Sequence, residues 1–276
     1  MPPVLYPPTR PQAIGEVLDS AFRIFKATLL KSLPYSVLAT VAGQLQSIYV
    51  IVTGRDLKPF GNSDPGYWAV YVLGAFLGGV LISAIMIRQA AIASGTGSTA
   101  RTALIQGLKN APAVWFMGLL MIVLSGIWFV PVVVIPPAYR SGSIVLLAVP
   151  AVYLLVLFVC AWPGRLLDGK GPIESMRYSA HLVRGNWWRT VMVYLVVVTM
   201  ILVLSITAAL VVGVLTQLVA ARDLAVATAV SRVMIVAFSA VYTPLVTAMA
   251  LAVYGDLQAR KEGADLERRI ADVPAG

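Results

Sequence analysis

Few side chains in this sequence could act as nucleophiles, acids, bases or metal ligands. There is one histidine, His181, and one cysteine, Cys160, in 276 residues. A triad, an acid–base pair or a metal site needs several such groups brought together. Cys160 sits inside an apolar run, where a lone thiol behaves as a small hydrophobe and has no partner for an intramolecular disulfide. His181 falls on the polar stripe of an amphipathic segment, facing solvent or headgroups. Carboxylates in apolar runs would mark proton or ion paths, but Asp56, Asp64, Asp168, Glu174, Asp223 and Asp256 all fall at the rims of such runs. The expectation is a protein without a catalytic centre, cofactor or metal.

What remains are cations in patterned places. Arg23, Lys26, Lys109, Arg177, Arg184 and Arg189 lie on short segments just before apolar runs. In the first segment Glu16, Asp19, Arg23 and Lys26 recur at steps of three and four, opposite Ile14, Leu18, Ala21, Phe22 and Phe25. Around residue 180, Glu174, Arg177, His181 and Arg184 oppose Ile173, Met176, Ala180 and Val183. That is the pattern of an interfacial helix, apolar face down and cations toward anionic headgroups. Lipid headgroups are therefore the expected contact of these six cations. A second group, Asp256, Arg260, Lys261 and Glu262, lies on a tail of mixed charge and reads as a docking site for a membrane-protein partner. A homodimer seam is the other partner reading, from the small residues Gly74, Gly78, Gly79 and Ser83. No base-stacking or groove-reading element accompanies the basic residues, so nucleic acid is not an expected partner.

The elements that must position these groups follow from composition. The chain is 59% hydrophobic and 12% charged, whereas soluble domains are roughly half apolar and a quarter charged. Lipid must cover the excess. Six runs are long enough for a bilayer core of about 30 Å: roughly Leu33–Thr53, Tyr67–Ile87, Pro112–Ile135, Ser143–Trp162, Trp188–Val214 and Ala225–Tyr254. The fold class is thus all-α and integral to the membrane. Sixteen of the 21 cations fall on one side of this arrangement, against Arg55, Lys58, Arg140, Arg222 and Arg232 on the other. The positive-inside rule then places both termini in the cytoplasm. Arg88 and Arg232 are the cations nearest to lipid depth, each close enough to a span end to snorkel.

Three similar segments precede the odd-numbered spans: Arg23-Ile-Phe-Lys-Ala-Thr28, Gln106-Gly-Leu-Lys-Asn-Ala111 and His181-Leu-Val-Arg-Gly-Asn186. Their cations are 83 and then 75 residues apart. Glu16 also matches Glu174, and Lys31 matches Arg189. This suggests three hairpins, over residues 12–94, 95–163 and 171–254, each led in by an amphipathic helix. Residues 1–11 read as a Pro-rich extended tail rather than a secretory leader. Residues 255–276 read as a charged cytoplasmic extension of the sixth helix.

Two stretches carry a family resemblance. The opening Arg10-Pro-Gln-Ala-Ile-Gly-Glu-Val-Leu-Asp-Ser-Ala-Phe-Arg-Ile-Phe25 and the closing Tyr254-Gly-Asp-Leu-Gln-Ala-Arg-Lys-Glu-Gly-Ala-Asp-Leu-Glu267 resemble the bacterial family named after the membrane domain of glycerophosphoryl diester phosphodiesterases. So does Gly171-Pro-Ile-Glu-Ser-Met-Arg177 before His181-Leu-Val-Arg-Gly-Asn-Trp-Trp-Arg189. In the full-length enzymes of that family a separate soluble barrel performs hydrolysis. Too few residues follow Glu267 to form one. The resemblance therefore implies a bacterial inner-membrane architecture and not a phosphodiesterase. The functional expectation is a scaffold or modulator touching anionic lipids, with a carrier or channel for a lipid, peptide or small amphiphile as the alternative.

Overall fold

The computed structural model describes residues 4–54, 64–133, 135–220 and 224–271, and they are helical with short connections. In chain order the helices are α1 Ile14–Gly43, α2 Leu45–Thr53, α3 Pro65–Ala93, α4 Ala100–Gly126, α5 Pro137–Leu157, α6 Ala161–Asp168, α7 Pro172–Val183, α8 Trp187–Ala220 and α9 Leu224–Ala271. A three-ten segment, Ile127–Val133, follows α4 and contains Pro131. Five stretches are long and apolar enough to cross a membrane, or six if α1 and α2, bent by 43°, are counted as one span. The protein is a multi-pass membrane protein. Arg55, Asp56, Lys58, Arg222 and Asp223 lie outside the described residues, as do residues 272–276.

Two of the expected lead-in helices are not separate elements. Arg23-Ile-Phe-Lys-Ala-Thr28 lies within α1, and Gln106-Gly-Leu-Lys-Asn-Ala111 within α4. Only the third segment stands alone, as α7. The reason is local. Gly185 follows Arg184 and adopts φ +85°, a left-handed conformation that ends a helix at little cost only for glycine. Ala27, at the matching place in α1, is a strong helix former.

The two helix starts share one contact. Pro172 occupies the first turn of α7, and the Glu174 carboxylate accepts from the Gly171 N–H at 3.2 Å. The α1 helix begins three residues after Pro11, with Glu16 accepting from Ala13 N–H at 2.8 Å. The Gln12 N–H, two residues before α1, donates to Asp256.

Helices approach closely where glycine allows it. A Cβ on Gly74 of α3 would lie 2.5 Å from the Ala42 carbonyl of α1. One on Gly107 of α4 would lie 2.7 Å from the Val80 carbonyl of α3. Gly74 thus packs within the bundle, whereas Gly78 meets nothing.

The core sits at one end. Tyr6, Val17, Ala21, Ile24, Met86, Ala90, Leu157, Cys160, Leu182, Val183, Leu251, Tyr254 and Leu257 form a single buried cluster there. The amino-terminal segment is part of it and not a free tail. Leu5 and Tyr6 N–H groups donate to the Ala93 carbonyl at 2.8 and 3.2 Å, closing the last turn of α3. Toward the opposite end, the second half of α8 stands largely clear of helices other than α9, and most of its side chains are exposed.

Candidate functional site

A carboxylate ties the two ends of the described chain together. Asp256 projects from α9, and its side chain is 4% exposed. Its Oδ1 accepts from the Gln12 backbone N–H at 2.7 Å. Its Oδ2 accepts from Arg189 Nη2 at 3.0 Å and from Arg260 Nε at 3.1 Å. Both arginines also donate to the Gln12 carbonyl, Arg260 at 2.6 Å. One residue of extended backbone is thus held on both of its polar groups, by side chains from α8 and α9. A buried carboxylate needs this many donors, since each ion taken out of water costs several kcal/mol.

One turn away lies a second polar layer. Tyr254 OH donates to Asp168 Oδ2 at 2.7 Å. Lys170 pairs with the same carboxylate and stands 3.9 Å from the centre of the Tyr178 ring. Tyr178 OH donates to Glu262 at 3.0 Å, and Gln258 donates to both phenols at 3.3 Å. Burial pushes the Tyr178 phenol up to about 12, with the neighbouring Glu262 and Asp168 charges acting in the same sense.

These contacts place the cations and tail residues singled out above. Arg23, Lys26, Lys109, Arg177 and Arg184 are exposed, as the headgroup reading requires; Arg23 also pairs with Asp19. Arg189 does not belong with them, because its guanidinium is committed to Asp256 and Gln12. On the tail, Asp256 and Arg260 are turned inward and offer a partner nothing. Glu262 is exposed but held by Tyr178, and Lys261 is half-buried beside Gly185. Tyr254, Asp256, Arg260 and Glu262 therefore share one task in this structure. They fasten α9 to α6, α7, α8 and the amino-terminal segment.

Sequence reasoning sought carboxylates within spans and so passed over Gln89. This side chain of α3 is fully buried. It donates to the Pro244 carbonyl at 2.8 Å and accepts from Thr247 Oγ1 at 2.7 Å. A lone amide in an apolar run was the available signal, since interhelical amides join membrane helices. Arg88, one residue earlier, reaches Tyr35 of α1 at 3.1 Å with its guanidinium 5.3 Å from that ring. It is a bundle contact and does not snorkel.

At the other end, α8 and α9 part to leave a cleft of about 1000 Å³. Its walls are mainly apolar, with Ser205, Thr216, Gln217, Ser231 and Tyr242 spaced along them. Thr216 Oγ1 is buried there and has no hydrogen-bond partner. Among the described residues no three His, Cys, Asp or Glu side chains come together as metal ligands would. Comparison with family models, with curated proteins and with solved structures finds no match.

Proposed function

We propose that this chain is a non-enzymatic scaffold or modulator of the bacterial inner membrane, with both termini cytoplasmic and its basic end set against anionic headgroups. One observation carries the reading. Arg23, Lys26, Lys109, Arg177 and Arg184 are exposed on α1, α4 and α7 or its end, and the buried Asp256 cluster with the Tyr178–Glu262 contact fastens α9 to the segment leading into α1, to α7 and to α8. A firm platform that keeps cations apart and exposed suits a lipid surface, where each adds about 1 kcal/mol of attraction. The charge asymmetry and the family resemblance support the same membrane and orientation. The test is lipid analysis of protein extracted from native membranes. Replacing the five cations by Gln should lower co-purified anionic lipid severalfold while leaving the fold intact. Unchanged anionic lipid would remove the reading.

The cleft between α8 and α9 favours a second reading, a carrier for a lipid or small amphiphile. Its volume is at the upper end of small-molecule sites, and its walls suit an alkyl chain. Flux of an amphiphile in proteoliposomes, abolished by Ala208→Trp or Ala209→Trp in the cleft wall, would establish it. Absence of any flux would leave the scaffold alone.

A further inference from the structure

Arg232 of α9 points to a phosphate-binding site in the leaflet opposite the basic end. Its Nη1 donates to Gln44 Oε1 at 3.2 Å and lies 3.5 Å from Ser47 Oγ, at the bend between α1 and α2. Both partners are neutral. Among the described residues no carboxylate stands within ion-pair distance of it. The side chain is exposed, not enclosed in the bundle.

Its depth makes this unusual. Lys31 is the last exposed cation of α1 before the apolar stretch. Gln44 lies 13 residues further on, about 20 Å at the rise of an α-helix. From the other direction, Arg232 is eight residues into α9, about 12 Å from its start. With a core of about 30 Å, the Arg232–Gln44 contact falls within hydrocarbon. Helical side chains lean toward the helix amino terminus, which for α9 is the far membrane face. Arg232 could therefore reach outward to headgroups, but it is held by the α1–α2 bend. A guanidinium has five N–H donors in a planar fork. Gln44 and Ser47 use part of that fork and leave the rest, with the full charge, facing lipid. An unneutralised cation at that depth is costly, and the group that removes the cost must be anionic, bear several acceptor oxygens and arrive from the membrane.

We propose that Arg232, oriented by Gln44 and Ser47, binds the phosphate of a phospholipid drawn inward from that leaflet. The bound headgroup sits below its neighbours, against the bend between α1 and α2. This site is independent of the exposed cations at the basic end, and either can fail without the other.

The test uses the full chain in phosphatidylcholine nanodiscs doped with a phosphatidylglycerol carrying a photoreactive group near its phosphate. Cross-linked peptides are then mapped by mass spectrometry. Labelling of α2 and the first third of α9 is expected, with a loss of about tenfold in Arg232→Gln. A diacylglycerol probe with the same photoreactive group should label weakly, and inorganic phosphate in the buffer should not compete. Equal labelling of wild type and Arg232→Gln, or equal labelling by diacylglycerol, would overturn the proposal. Competition by inorganic phosphate would assign the site to a soluble anion and overturn the lipid assignment. If Arg232→Gln fails to fold, Gln44→Ala combined with Ser47→Ala decides, since it keeps the cation. A threefold or greater loss of labelling supports the site, and none refutes it.

Discussion

The two ends of this molecule are stabilised in different ways. At the basic end, side chains from α6, α7, α8, α9 and the amino-terminal segment meet in buried polar layers around Asp256 and Asp168. At the opposite end, α8 touches mainly α9, and only 6% of the most apolar stretch of α8 is buried. Water cannot satisfy polar groups inside a bilayer, so a membrane helix can be secured there by its own backbone bonds and little else. Close to the interface, polar networks are both affordable and specific. The lesson is that apolar length makes these helices span, whereas a few polar residues at one rim decide how they are arranged.

That contrast can be broken most severely at Asp256. Asp256→Ala leaves Arg189 and Arg260 half-buried without their carboxylate and should destabilise the protein by about 3 kcal/mol, read by denaturant unfolding in detergent. A loss under 1 kcal/mol would show that the cluster is ornamental. Gly255→Leu attacks the same end through shape. Its Cβ would lie 2.7 Å from Pro8 and 2.9 Å from Tyr6, both rigid rings. The expected cost is about 1–3 kcal/mol, with residues 4–12 becoming sensitive to protease.

The second polar layer can be probed with pH. The Tyr178 phenol is raised in the folded protein, so its contribution is complete below the ordinary tyrosine value of about 10. It is lost as pH rises through about 12. Melting temperature should fall across that interval, and Tyr178→Phe should flatten the fall. The smallest effect belongs to the far end. Leu210→Ala and Val214→Ala, both exposed on α8, should each change stability by less than about 0.5 kcal/mol. A large loss from either would mean that α8 packs against something other than lipid.

Legibility in the sequence follows the same division. Apolar runs long enough to span are a local property, and the spans were readable to within a few residues at Trp187, where α8 begins, and at Thr53, where α2 ends. Helix breaks were readable where glycine dictates them, as at Gly185, and misread where an amphipathic stretch simply continues into a span, as at Lys26. The destination of Asp256 was not readable. On a mixed-charge tail an aspartate four residues before an arginine resembles a solvated helix face. Its decisive partners are Gln12 and Arg189, which are 244 and 67 residues away, and one of those contacts is to backbone, which carries no side-chain signal. The exposed cations were recognisable because amphipathic spacing predicts exposure, and five of the six are exposed. Arg189 follows the same spacing but is claimed by a long-range partner.

The span of 244 residues between Gln12 and Asp256 also has a bearing on biosynthesis. Residues 4–12 leave the ribosome long before the carboxylate that fastens them. Until then the leading helices can enter the bilayer, but the rim that orders them has no keystone. A chain interrupted before residue 256 would keep every earlier span and still lack that rim. Closure of the rim thus waits until residue 256 has been made, and quality-control proteases that seize loose amino-terminal segments would find one on chains interrupted before it.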